Sequence, residues 1–184
     1  MTTVFIGGSR AVSRLNPLIR AKLDDLMKRH CTIFIGDANG ADKAVQQHLV
    51  AAGYRHVVVF CMDECRNNLG GWPTRTSRAT GVKKDFAYYA TKDRAMAEEA
   101  NCGVMLWDGR SQGTLNNILN LVAARKKTLV YLAPAREFHK LSDEQGLRAL
   151  LARCDQGAVE RAQRRLAAAA DIPAGQLSLH SAER

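Results

Sequence analysis

Proline and aromatic side chains are scarce in this chain: 4 prolines among 184 residues, with Phe, Trp and Tyr together at 6%. Alongside 46% hydrophobic and 24% charged residues, this excludes fibrous and disordered classes and leaves an ordinary globular protein. Long apolar runs are missing as well. The longest is about six residues, against the roughly 20 that a membrane-spanning helix needs. The opening MTTVFIGG has neither the basic nor the apolar region of a secretory signal, so the chain reads as cytoplasmic with no membrane partner. Cysteines are five and odd in number: Cys31, Cys61, Cys65, Cys102 and Cys154. Three fall at or inside strand-like runs, where a free thiol packs as a small hydrophobe, and no disulfide is expected. Cys61 and Cys65 stand near His56 without the spacing or second pair of a zinc site, so no metal is expected either. The fingerprints G-x-G-x-x-G and G-x-x-x-x-G-K-[ST] are also absent.

What is present is length enough for one main unit with a sizeable core, and a net charge of +9. The excess is concentrated: residues 1–132 hold 19 Lys and Arg against 11 Asp and Glu, while residues 133–184 hold 8 against 7. A field of that sign suits anionic ligands, from nucleotides to a nucleic-acid backbone.

Five short apolar runs alternate with amphipathic segments. TVFIGG, TIFIG, HVVVFC, CGVMLW and KTLVYLA predict buried strands. NPLIRAKLDDLMKRH predicts a helix with Asn16 as N-cap, Pro17 at its first position and an apolar face of Leu18, Ile19, Leu23, Leu26 and Met27. ADKAVQQHLVAAG, KDRAMAEEA and QGTLNNILNLVAARK predict three more helices. The fold class is α/β, a Rossmann-like doubly wound parallel sheet of about five strands over residues 1–133. Residues 62–81, broken by Gly70, Gly71, Pro73 and Gly81, form a loop excursion after the third strand. Residues 134–184 form a helical C-terminal extension with helices at 142–154 and 156–170, the first opened by a capping box of Ser142 and Gln145.

In open parallel sheets the ligand crevice lies beyond the carboxyl ends of the strands, where the strand order reverses. Three glycine-bearing turns fall on that edge. IGGSR offers Gly7, Gly8, Ser9 and Arg10; GDANGAD offers Gly36, Asp37 and Gly40; WDGRSQGT offers Gly109, Arg110, Ser111, Gly113 and Thr114. Glycine lets backbone approach a ligand, and hydroxyls and arginines bond phosphate oxygens. A strand that runs into a helix N-terminus presents free N–H groups to an anion. A bound nucleotide or phosphate is the expected ligand, and no other cofactor is expected. Within the excursion, Trp72, Arg75 and Arg78 either fold over a base and its phosphates as a lid or form a solvated basic loop with Trp72 packed on the domain. Lys92 and Arg94 extend the cationic edge or lie on a solvated helix face, and at most one of Tyr88 and Tyr89 faces the site.

FIGGSR near the N-terminus, GDANGADKAV about thirty residues later and KDRAMAEEANCGVMLWDGRSQGTLNNI together resemble the SLOG superfamily, and within it the YspA-like group. The resemblance spans residues 3–132. It implies a site for nucleotides or nucleotide-derived ligands, because that superfamily includes the Lonely Guy phosphoribohydrolases, the DNA-processing protein A domain that binds single-stranded DNA, and nucleotide-sensing domains of bacterial conflict systems. Related folds pair through helices, which implies a homodimer. The phosphoribohydrolase motif P-G-G-x-G-T-x-x-E is only partly matched. DGRSQGTLNN keeps Gly113 and Thr114 but puts Asn116 and Asn117 where the acid would fall, and asparagine cannot take a proton from water as a carboxylate does. Asp42 and Asp108 are the candidate catalytic replacements, one orienting a ribose hydroxyl and the other activating water; in the competing reading Asp42 caps its helix and Asp108 braces its loop. Three functions remain open: a nucleotide sensor or carrier, an N-glycosidic hydrolase acting on nucleoside monophosphates, and a nucleic-acid-binding protein.

Overall fold

The computed structural model describes residues 1–77 and 86–169. In chain order these form β1 (Thr3–Gly8), α1 (Pro17–Lys28), β2 (Thr32–Gly36), α2 (Ala41–Ala51), β3 (Val57–Met62), β4 (Thr74–Ser77), α3 (Phe86–Glu99), β5 (Cys102–Trp107), α4 (Gln112–Ala123), β6 (Thr128–Leu132), β7 (Glu137–Leu141), α5 (Glu144–Ala152) and α6 (Gln156–Ala169). The strands make one sheet in the order β4-β3-β2-β1-β5-β6-β7, parallel except where β7 runs antiparallel to β6. The α/β class holds, and the strand order reverses between β1 and β5.

The five apolar runs become strands because successive side chains enter two separate helical layers. Val4, Ile6, Ile33, Ile35, Val57 and Val59 pack with Ile19, Leu23 and Leu26 of α1 and Val45 and Leu49 of α2. Phe5, Phe34, Phe60, Met105 and Trp107 enter the opposite layer, against Met96 of α3, Leu115 and Ile118 of α4, and Leu147 and Val159 of α5 and α6. In α1, Asn16 caps the helix by accepting from the Ile19 amide at 3.0 Å, with Pro17 in the first turn. Leu18 is exposed rather than on the apolar face, because the stripe through Ile19, Leu23 and Leu26 leaves it pointing outward.

The two strands beyond the predicted five have local causes. β4 lies within the excursion and pairs with β3 from Val59↔Thr74 to Met62↔Ser77. Its sequence TRTS is polar and largely exposed at the sheet edge, so no apolar pattern marks it. β7 follows β6 through a tight turn in which Arg136 takes a φ of +54° and its amide donates to Ala133 O at 3.3 Å. The C-terminal extension is thus not wholly helical. Asp143, not Ser142, caps α5: its carboxylate accepts from the Gly146 amide at 2.8 Å, and the Ser142 hydroxyl donates to the same carboxylate.

One expectation is corrected, and one stated alternative is selected. Cys61 and Cys65 are joined as a disulfide, their Cα atoms 5.1 Å apart, because the chain doubles back through Asp63 at a φ of +52° as it leaves β3. Trp72 is no lid: it is 8% exposed, packs in the α1/α2 layer and donates its indole N–H to Tyr54 O at 2.9 Å. Arg75 is held on β4 by an ion pair with Glu99 and lies over the Phe34 and Phe60 rings, each 5.7 Å from the guanidinium carbon. Arg78, named with them in the lid alternative, lies outside the described residues.

Trp72→Ala is expected to cost about 3–5 kcal/mol, as truncation of buried Trp or Phe commonly does, read by urea denaturation. Unchanged stability would contradict the buried anchor and restore the lid.

Candidate functional site

At the switch point between β1 and β5, the carboxyl ends of the strands and the N-termini of α2 and α4 enclose a cleft of about 710 Å³. Local chain geometry builds its rim. Gly8 must be glycine, because a Cβ there would meet Leu106 O at 2.5 Å and Ala41 Cβ at 2.8 Å. The next residue, Ser9, donates its amide to Leu106 O at 2.8 Å, and its carbonyl accepts from Ala41 N at 3.1 Å, which locks the first turn to β5 and α2. Gly40 combines a φ of +86° with contact against the Arg10 main chain that leaves no room for a Cβ.

The α4 end of the cleft is an anion cradle. The Ser111 hydroxyl caps the helix, accepting from Thr114 N at 3.4 Å and from the Thr114 hydroxyl at 3.1 Å. Leu115 N donates to Ser111 O. The first two helical amides, those of Gln112 and Gly113, have no acceptor among the described residues and sit with Arg10 and Arg110 on the cleft wall. One turn further along the same helix, Asn117 is 6% exposed and lines the cleft, yet its Oδ1 has no hydrogen-bond partner. A buried amide oxygen left unpaired costs about 1–3 kcal/mol, a cost that a donor arriving with a ligand removes.

The opposite wall is a charged cluster around Lys92. Tyr89, Lys92, Asp93 and Met96 share one face of α3. Lys92 is 4% exposed; its ammonium lies 3.0 Å from Asp93 and 3.8 Å from Asp37. Gly36 makes the space: a Cβ there would be 2.5 Å from Asp42 Oδ2 and 2.9 Å from Lys92 Nζ. Burial works against the Lys92 charge, but Asp93 and Asp42 overcome it and raise its pKa. Burial also opposes the Asp37 charge, yet Arg66 holds it below the usual carboxylate range with a bond from its amide at 3.1 Å and two from its guanidinium at 3.0 and 2.6 Å. Asp42 goes the other way. Burial pushes it up to about 7 against the pull of Lys92, with Asp93 and Asp37 adding to the rise.

Most of the residues expected at the site do meet in this cleft: Gly7, Gly8, Ser9, Arg10, Gly36, Asp42, Asp108, Arg110, Ser111, Gly113 and Thr114. Three do not line it. Asp37 is tied to Arg66, Gly40 packs on Arg10, and Gly109, at a φ of +76°, lies against Leu132 and Cys154. Asp108 braces its loop, one carboxylate oxygen accepting from Arg110 N at 3.1 Å and Ser111 N at 2.7 Å. Asp42 does not cap its helix, whose N-cap is Gly40, and instead accepts from Ala38 N at 3.2 Å. Sequence reasoning missed the weight of Lys92, which it read as an edge cation or part of a solvated helix face, and did not single out Arg66. The i, i+3, i+4, i+7 spacing of Tyr89, Lys92, Asp93 and Met96 was the available signal.

No protein-family model matches the chain, and no curated protein matches it. Among solved structures, the chain is similar to DNA processing protein A from Helicobacter pylori, described for its single-stranded DNA binding mode: 16% identity, 85% of this chain and 73% of that one covered, TM-score 0.57. At that identity the likeness shows a Rossmann-like fold.

Asp42 binds its proton more tightly in the folded than in the unfolded chain. Its contribution to stability is therefore fully present below about pH 4 and lost as pH rises through about 7. Asp42→Asn stays neutral throughout. It is expected to match the wild type near pH 4 and to exceed it by on the order of 4 kcal/mol above about pH 8, read by urea denaturation across pH. Lower stability than the wild type at the alkaline end would contradict the buried, proton-holding carboxyl.

Proposed function

We propose that this chain binds a nucleotide or nucleotide-derived ligand in the switch-point cleft, as a sensor or carrier. The phosphate rests on the Gln112 and Gly113 amides with Arg10 and Arg110 beside it, and the sugar or base reaches the Asn117 amide one turn along. The observation that carries the reading is that Asn117 lines the cleft while its Oδ1 is buried and unpaired, about 6 to 7.5 Å along α4 from the free amides at 1.5 Å per residue. The resemblance of the three glycine turns to the SLOG superfamily supports the same ligand class.

A second reading, N-glycosidic hydrolysis of a nucleoside monophosphate, is favoured by Asp42, which lines the cleft and whose pKa burial pushes up to about 7. A group of that kind can hand a proton to a leaving base. Asp108, engaged by two loop amides, is the weaker partner in that chemistry. A nucleic-acid reading draws on the +9 charge and on the single-stranded DNA binding named for the structural neighbour.

Calorimetric titration with AMP separates these readings. Saturable binding is expected, and Asn117→Leu is expected to weaken it by about tenfold or more with thermal stability kept or raised, since the variant removes an unpaired polar atom. Release of adenine during the titration would select the hydrolase. No mononucleotide binding, together with oligonucleotide binding that falls steeply with salt, would select the nucleic-acid binder and overturn the proposal.

A further inference from the structure

The excursion opens with a ring of five residues closed by the Cys61–Cys65 disulfide. Cys61, within β3, is fully buried, while Cys65 is half-buried, so an incoming thiolate reaches the Cys65 sulfur first. Closing so short a ring removes less chain entropy than a long loop would, which makes the cross-link's effect local. Inside the ring Asp63 takes a φ of +52°, a conformation uncommon for residues other than glycine.

The consequence lies one residue on. The peptide unit joining Cys65 to Arg66 is anchored on one side by the disulfide and on the other by the Arg66 amide, which donates to Asp37 Oδ2 at 3.1 Å. The Arg66 guanidinium closes two more bonds on the same buried carboxylate and lies over the Tyr89 ring, 4.9 Å from its centre. Arg66 and Tyr89 both line the cleft. Further along, the Asn67 side-chain amide donates to Asp37 O at 2.7 Å and Leu69 N donates to Gln46 Oε1 at 3.0 Å. Residues 66–69 are therefore fastened to the β2 turn and α2 by specific hydrogen bonds rather than by apolar burial, the kind of segment that opens locally.

We propose that Cys61–Cys65 is a redox site reduced by a dithiol, and that its opening releases Arg66 from Asp37 and loosens the cleft wall that Arg66 helps to form. A reductant thiolate attacks Cys65 Sγ; Cys61 leaves as a thiolate and takes a proton. The reductant's second thiol then displaces the mixed disulfide, leaving two thiols here and one disulfide in the reductant, two electrons transferred. With Arg66 gone, Asp37 is left with Lys92, and the charge balance of the whole wall shifts. Only the effect on ligand affinity rests on the nucleotide-binding reading.

Hydrogen–deuterium exchange on the full chain without ligand tests the redox site itself. After alkylation under denaturing conditions, the oxidised protein is expected to show two of its five cysteines protected. On reduction, amides of residues 63–69 are expected to exchange about tenfold faster while those of β1 and β5 stay unchanged. Cys65→Ser is expected to behave as the reduced protein under both conditions. Five alkylatable thiols after mild oxidation, or equal exchange in both states, would overturn the proposal. AMP titration of the two forms is expected to give about tenfold weaker binding when reduced. Equal affinity would overturn the coupling to the cleft, whereas absence of AMP binding in both forms would count against the ligand reading and leave the exchange result to decide the redox site.

Discussion

The ammonium of Lys92 is the constraint around which the cleft is arranged. A cation at 4% exposure is tolerable only with carboxylates close by, and three elements supply them: Asp37 from the end of β2, Asp42 from α2 and Asp93 from α3 itself. Gly36 has to lack a side chain for Asp42 and Lys92 to come so close. Asp37, in turn, is shared with Arg66, which brings the start of the excursion into the same network. One buried charge thus couples the second strand, two helices and a loop. Removing Lys92, or the ionised Asp37 or Asp93 beside it, leaves another charge buried without its full set of partners, the costly case.

The cluster also gives the cleft two chemically different ends. At the α4 end, free amides and two arginines favour negative charge. At the α3 end the charges are already paired, and Asp42 holds a proton where ordinary carboxyls are ionised. The paired wall offers hydrogen bonds rather than net attraction. A ligand with one anionic end and one polar neutral end matches that division, with Phe5 and Met96 supplying apolar surface between.

Much of this was legible in the sequence, for physical reasons that differ by element. The five parallel strands announce themselves because both their faces are buried, and α1 because Asn16 and Pro17 stand together at its start. The glycine turns were readable because their spacing after strands is a local property. β4 and β7 were not, since edge strands need only one apolar neighbour and TRTS has no apolar residue at all. Trp72 was ambiguous because the basic residues around it point to a loop, while its indole is held by Tyr54 O, a contact made across the fold. The Cys61–Cys65 bond escaped the count of cysteines, since an odd number says nothing about which two are adjacent in space. Lys92 was the hardest, for a lysine on a helix is ordinarily solvated, and two of its three carboxylate partners, Asp37 and Asp42, come from the GDANGAD turn far away in sequence.

The claim on which the account turns is that the free amides of α4 and the Asn117 side chain receive one ligand together. Side-chain and backbone amide spectra of isotope-labelled protein, recorded while AMP is added, test this most directly. The account predicts saturable shifts at Gln112, Gly113 and the Asn117 side-chain amide, with Ser9 to Ala11 following and β7 unmoved. Shifts spread over the basic surface without saturation, or an Asn117 signal that stays still while other residues respond, would contradict it.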